Sequence, residues 1–218
     1  MLAARGLRAF GFGFSAVLVG LHLERLGLSA VWIGLTLGIG LAVASLTGLA
    51  SAAASARIGR RRTLAVVGVL MALTGLDLAL AHQPALLVLS GVTGMLGAAS
   101  VDYGPFASVE QAVLAETAAP AARNRAFARY SLTGGLFNAA GGLAAAALAS
   151  TRTYFVIYAA LGVATAVLPN LMSPQVEGEP NPTVFGSFRP LAGLAALFAL
   201  DSLGGGFEIG RASCRERV

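Results

Sequence analysis

Three carboxylates stand within apolar runs of the chain: Asp77, Asp102 and Asp201. An ionisable group among apolar neighbours is costly to hold, so such groups are generally kept for chemistry. Here that chemistry is the binding and release of protons, or the grip on a polar solute. If the runs are helices, depth separates the three. At 1.5 Å per residue, Asp77 lies about 21 Å past Thr63, Asp102 about 25 Å past Ala85, and Asp201 about 16 Å past Leu191. Asp77 is then either a proton site or a carboxylate at the outer water boundary. Asp102 falls in the inner third of a span, as a proton or substrate site or as a structural hydrogen-bond partner of neighbouring helix ends. Asp201 falls near the midplane. Asn138 shares a stripe with Gly134 and Gly142, and either faces a pathway or packs on a neighbouring helix. Glu110 and Glu116 are expected to pair with arginines in a solvated setting.

Other chemistries find no footing. His22 and His82 have no i,i+4 partner for a metal, Cys214 is the single cysteine, and the chain holds no lysine for a phosphate-binding loop. No enzymatic reaction, cofactor or metal is expected.

The elements that must position these residues are spanning helices. The 218 residues are 56% hydrophobic and 11% charged, with mean hydropathy +0.77, where a globular domain carries about 25% charged residues. The 28 glycines fit helices that approach closely inside lipid. Runs near the roughly 20 residues that cross a bilayer predict helices over 7–23, 30–55 and 63–81. A fourth runs from about residue 85 to a kink at Gly104-Pro105, with 109–122 emerging from the bilayer. Two more follow over 126–149 and 154–172. The expected organisation is a six-helix bundle (1–172), a proline-rich cytoplasmic linker (173–190), an incomplete seventh helix (191–207) and a charged tail (208–218).

Arginines set the expected orientation. Arg57, Arg60, Arg61 and Arg62 crowd one short junction between two uncharged runs. With the amino terminus inside, ten arginines face the cytoplasm and two, Arg25 and Arg152, face out, the asymmetry of the positive-inside rule. The expectation is a multi-pass protein of the inner (plasma) membrane with a cytoplasmic amino terminus, surrounded by the lipid bilayer. The net charge of +5 does not point to nucleic acid, because the arginines sit between apolar runs rather than on a polar face.

The junction also carries a resemblance. Arg57, Gly59, Arg60, Arg61 and Leu64 match the pattern Gly-x-x-x-Asp-Arg-x-Gly-Arg-Arg-x-x-Leu between helices 2 and 3 of the major facilitator superfamily. Ala52 and Ala56 stand where that pattern has Gly and Asp, so the acid that bridges the two halves of family members is missing. The helix-4 arginine of many proton-coupled members is missing too. Stretches at 104–115, 125–130 and 201–207 resemble a bacterial subgroup of the superfamily. The resemblance implies an all-α membrane fold, the amino-terminal bundle of two inverted three-helix repeats plus the start of a seventh helix. It also implies a secondary transporter that moves a small-molecule substrate by alternating access. Efflux stands ahead of solute uptake, with protons as the candidate coupling ion; the alternative is a membrane-embedded piece with no activity alone. Residues 208–218, Glu-Ile-Gly-Arg-Ala-Ser-Cys-Arg-Glu-Arg-Val, resemble a translated sequencing adapter, which would make the gene truncated and Cys214 non-native.

Overall fold

Long apolar runs broken by glycine and proline dictate a helical chain. The structure, a computed structural model, describes residues 1–80, 90, 93, 95–96, 104–147, 150–171, 174–177, 193 and 197. The chain divides into a unit Met1–Pro180 and a unit Asn181–Val218; in the second, Gly193 and Leu197 are helical. Most of the predicted fourth helix, Asp102 included, most of the linker, most of the seventh run with Asp201, and the tail with Cys214 lie outside the described residues.

The first unit holds six helices among its described residues: α1 (Leu2–Arg25), α2 (Ala30–Ile58), α3 (Arg60–Leu80), α4 (Pro105–Thr117), α5 (Arg123–Ala144) and α6 (Thr151–Val167). A 3-10 turn, Leu168–Leu171, continues α6, and another covers Pro174–Glu177. Four elements are long and apolar enough to cross a membrane: α1, α2, α3, and α6 with its continuation. The arginines at positions 123, 125 and 129 lower the apolarity of α5, and α4 is 13 residues long.

The boundaries differ from expectation where turn chemistry decides them. The arginine knot is not a loop. Arg60, Arg61 and Arg62 form the first turn of α3, and Gly59 alone separates it from α2, at φ +92°. A side chain rarely adopts that backbone, and Gly does so without penalty. Ser29 takes the N-cap position of α2 but makes no side-chain cap bond. Residues 109–117 belong to α4. Pro105 opens α4 at the first helical position, and Phe106, Val109 and Val113 are buried, which holds α4 against its neighbours.

Packing follows an exchange rule. α1 packs on α5, α2 on α4, and α3 on α6. A relation carrying α1, α2 and α3 onto α4, α5 and α6 turns the first pairing into the second and leaves the third unchanged. Two three-helix repeats predict this arrangement. Glycines permit the approaches. A Cβ on Gly13 would fall 2.0 Å from the Asn138 carbonyl oxygen, and one on Gly162 would fall 2.4 Å from the Ala72 nitrogen. Aromatic rings fill the centre, with Phe14 centroid distances of 5.2 Å to Tyr154 and 6.1 Å to Tyr158.

The outside is apolar as well. Trp32, Leu35, Leu46 and Leu49 on α2, and Leu132, Leu136 and Leu143 on α5, are exposed. Such faces are a liability in water and ordinary against hydrocarbon.

Candidate functional site

Two charged assemblies sit at one end of the bundle, where α1 begins, α2 meets α3 and α4 ends. At the α2–α3 junction, the Arg60 guanidinium donates to Glu116 Oε1 at 2.5 Å, while its backbone N–H donates to Glu177 Oε2 at 2.8 Å. Glu177 thereby serves one of the open donors of the α3 amino terminus, where the helix dipole favours an anion. Gly59 is needed here for space as well as for φ, because a Cβ on it would lie 2.7 Å from that carboxylate. The junction, the end of α4 and the segment after α6 are tied together through one arginine. Glu116 is more than half exposed, so this pair contributes on the order of 0–1 kcal/mol.

The second assembly lies deeper. Glu110 on α4 is 0% exposed, Arg8 on α1 3%, and Tyr130 on α5 2%. Glu110 Oε2 accepts from the Arg8 guanidinium and, at 2.9 Å, from the Tyr130 hydroxyl. Arg8 lies over the Phe106 ring at 4.2 Å, and Arg5 over the Tyr130 ring at 4.1 Å. The Arg5 guanidinium also fills the space a side chain at Gly134 would need, since a Cβ there would fall 2.6 Å from Nη2. Desolvated ion pairs hold strongly only when hydrogen bonds use their remaining lone pairs. Here one pair draws three helices together.

This assembly corrects the solvated role expected for Glu110. The expected pairing with arginine is present, yet the carboxylate is enclosed. The sequence held a signal: Phe106 and Val113 stand four before and three after Glu110, so helical spacing puts them on one face.

The structure disperses the other candidates. Asp77 is half-buried on α3, and its Oδ2 is enclosed with no hydrogen-bond partner among the described residues. Asn138 is half-buried on α5, and its backbone carbonyl meets Gly13 where α1 and α5 cross. The stripe of Gly134, Asn138 and Gly142 therefore runs along α1. Arg57 is exposed, Arg60 makes the contacts above, Arg61 is half-buried and Leu64 is buried in the core. At the opposite end, Arg25 donates to the Thr151 hydroxyl at 2.9 Å, which joins the end of α1 to the start of α6. No group of three His, Cys, Asp or Glu suited to a metal occurs among the described residues.

A family model described as "Major Facilitator Superfamily" matches residues 1–203. The chain belongs to the major facilitator superfamily. A Saccharomyces cerevisiae relative, named as the uncharacterized membrane protein YJR124C, is 26% identical over 185 residues, covering 78% of this chain and 41% of the relative. The chain thus spans about two-fifths of the length of that relative. Membership of this superfamily, a family of transporters, accords with the apolar exposed faces and the paired three-helix arrangement: the chain is a multi-pass, all-α membrane protein.

Proposed function

We propose that this bundle forms one wall of a secondary transporter that exports a small molecule by alternating access. The observation that carries the reading is the superfamily match over residues 1–203. The paired repeats support it, since such repeats place a solute pathway between two bundles that rock against each other. The chain's two-fifths share of its yeast relative leaves room for a second bundle as the other wall. The charged end carries Arg5, Arg8, Arg57, Arg60, Arg61, Arg62, Arg123, Arg125 and Arg129, against Arg25 and Arg152 at the other, and we assign it to the cytoplasmic side of the plasma membrane.

Protons are the proposed coupling ion, with Asp102 and Asp201 as binding groups. A carboxylate at inner-third or midplane depth can exchange a proton as access alternates. The test uses the full-length protein, in vesicles with an imposed proton gradient, and a panel of labelled small solutes. At least one of Asp102→Asn and Asp201→Asn abolishes accumulation, and Asp77→Asn is tolerated. Full activity in the Asp102→Asn, Asp201→Asn double variant, with loss in Asp77→Asn, contradicts the assignment.

A further inference from the structure

α2 and α3 follow one another across the single residue Gly59, yet they pack together more lightly than α3 packs on α6. Between them, at the arginine-rich end, lies a groove of about 170 Å³. Ala50, Ala54 and Ile58 of α2 line one side, Val66 and Leu70 of α3 the other, with Pro105 of α4 also lining it. Each alanine reaches one carbon beyond the backbone, which leaves the gap. Thr47 and Thr63 line it too, but their hydroxyls donate to the Val43 and Gly59 carbonyls at 2.8 Å. The walls therefore offer a ligand hydrocarbon contact and little hydrogen bonding. Ile58 and Val66 are exposed.

The depth matches one leaflet. From Arg57 back to Thr47 is about 15 Å along α2 at 1.5 Å per residue, half of the roughly 30 Å hydrocarbon core of a bilayer.

Two arginines stand at the mouth. Arg57 comes three residues after Ala54 and seven after Ala50, and Arg62 comes four before Val66 and eight before Leu70. Helical spacing puts each on the face that lines the groove. Both are exposed, and neither makes an ion pair among the described residues. The carboxylates at this junction, Glu116 and Glu177, are already held by Arg60. An apolar groove one leaflet deep beneath two unmatched cations suits an amphiphile with a negative head. A soluble anion would meet the arginines and leave the groove empty.

We propose that the α2–α3 groove binds an anionic phospholipid of the adjoining leaflet, with an acyl chain between Ala54 and Val66 and the headgroup phosphate on Arg57 and Arg62. Basic pockets between spanning helices hold such headgroups. The site needs only the membrane setting and does not depend on the transport reading. A lipid seated there touches both helices and braces them where their own packing is light.

The experiment identifies the occupant by covalent capture. A photoreactive benzoylphenylalanine replaces Val66 in the full-length protein, held in nanodiscs of equal parts phosphatidylglycerol and phosphatidylcholine with the same acyl chains. Illumination and mass spectrometry then count the adducts. The expected result is an excess of phosphatidylglycerol adducts of roughly tenfold, the scale set by two arginines near the surface. Arg57→Gln with Arg62→Gln returns the adducts to the bilayer proportion. Arg125→Gln with Arg129→Gln removes the same charge from exposed positions on α5 and keeps the excess. Ala54→Phe fills the groove without altering any charge and lowers the yield of phosphatidylglycerol adducts. Added glycerol phosphate at constant ionic strength changes nothing.

Four outcomes overturn the proposal. Adducts in bilayer proportion without the arginine substitutions deny any choice of headgroup. An equal loss in the Arg125, Arg129 variant assigns the excess to surface charge at large. Competition by glycerol phosphate makes the site one for a soluble phosphate. Capture of the chain's own residues beyond position 207 in place of lipid means that protein covers the groove.

Discussion

Arg8→Ala lowers the stability of the bundle by about 3–5 kcal/mol, because it leaves the enclosed Glu110 carboxylate without its cation. The expected loss is large for three reasons visible in the structure. Glu110 has no water to turn to, Tyr130 can supply only one hydrogen bond, and the ring of Phe106 loses the guanidinium that covers it. Replacing both partners by apolar residues of similar size, Arg8→Met with Glu110→Leu, recovers most of that stability, since no buried charge then remains. The midpoint of unfolding in mixed detergent micelles reads both. Arg60→Ala is the comparison: its partner Glu116 is more than half exposed, and the expected change is about 0–1 kcal/mol. Equal losses for Arg8→Ala and Arg60→Ala would contradict the description of the buried pair.

Gly141→Ala separates α1 from α5. A Cβ at that position would fall 2.1 Å from the Phe10 carbonyl oxygen and 2.9 Å from its carbon. Backbone atoms cannot swing aside as a flexible side chain can, so the helices themselves must move, at a cost of about 1–3 kcal/mol or more. The shift also carries Arg8 away from Glu110, because Arg8 sits on the helix that moves. Gly135→Ala, six residues earlier on the same helix, meets nothing within 4 Å. There the better helix former stabilises α5 by up to about 1 kcal/mol. Opposite signs for two identical substitutions on one helix are the expected outcome, read by the same unfolding midpoint. A neutral Gly141→Ala would mean that the crossing is looser than these distances state.

Both effects turn on contacts of different legibility. Helices α1, α2, α3 and α6 were plain in the sequence because apolar runs of bilayer length leave little choice, and Gly27, Gly59 and Gly104 mark breaks that the chain makes at positive φ. The glycine stripe on α5 was readable as a contact face, but not that α1 would be its partner. Arginine clustering at 57–62 was readable as a membrane boundary. That three of these arginines begin α3 was not, since a charged stretch between apolar runs reads as a loop until Gly59 is seen to make the turn alone. The pairing of Arg8 with Glu110 was the hardest to see. It joins residues 102 apart, and only three-dimensional packing says which of many arginines reaches an acid. Helical spacing placed Glu110 among Phe106, Val109 and Val113, which was the available sign that it points inward. Asp77 and Asn138 were legible as polar residues in apolar helices, and the structure places them on different helices, with Asn138 at the α1–α5 crossing.

The most direct test of the account is solute flux across a membrane. Vesicles holding the full-length protein are given an imposed ion gradient and no nucleotide, and a panel of labelled small solutes is offered. A parallel set holds residues 1–207 alone. The account predicts gradient-dependent, saturable accumulation in the first set, abolished when the gradient is collapsed, and none in the second, where one bundle supplies only one wall. Flux by residues 1–207 alone, or no flux by the full product under any gradient, would contradict it.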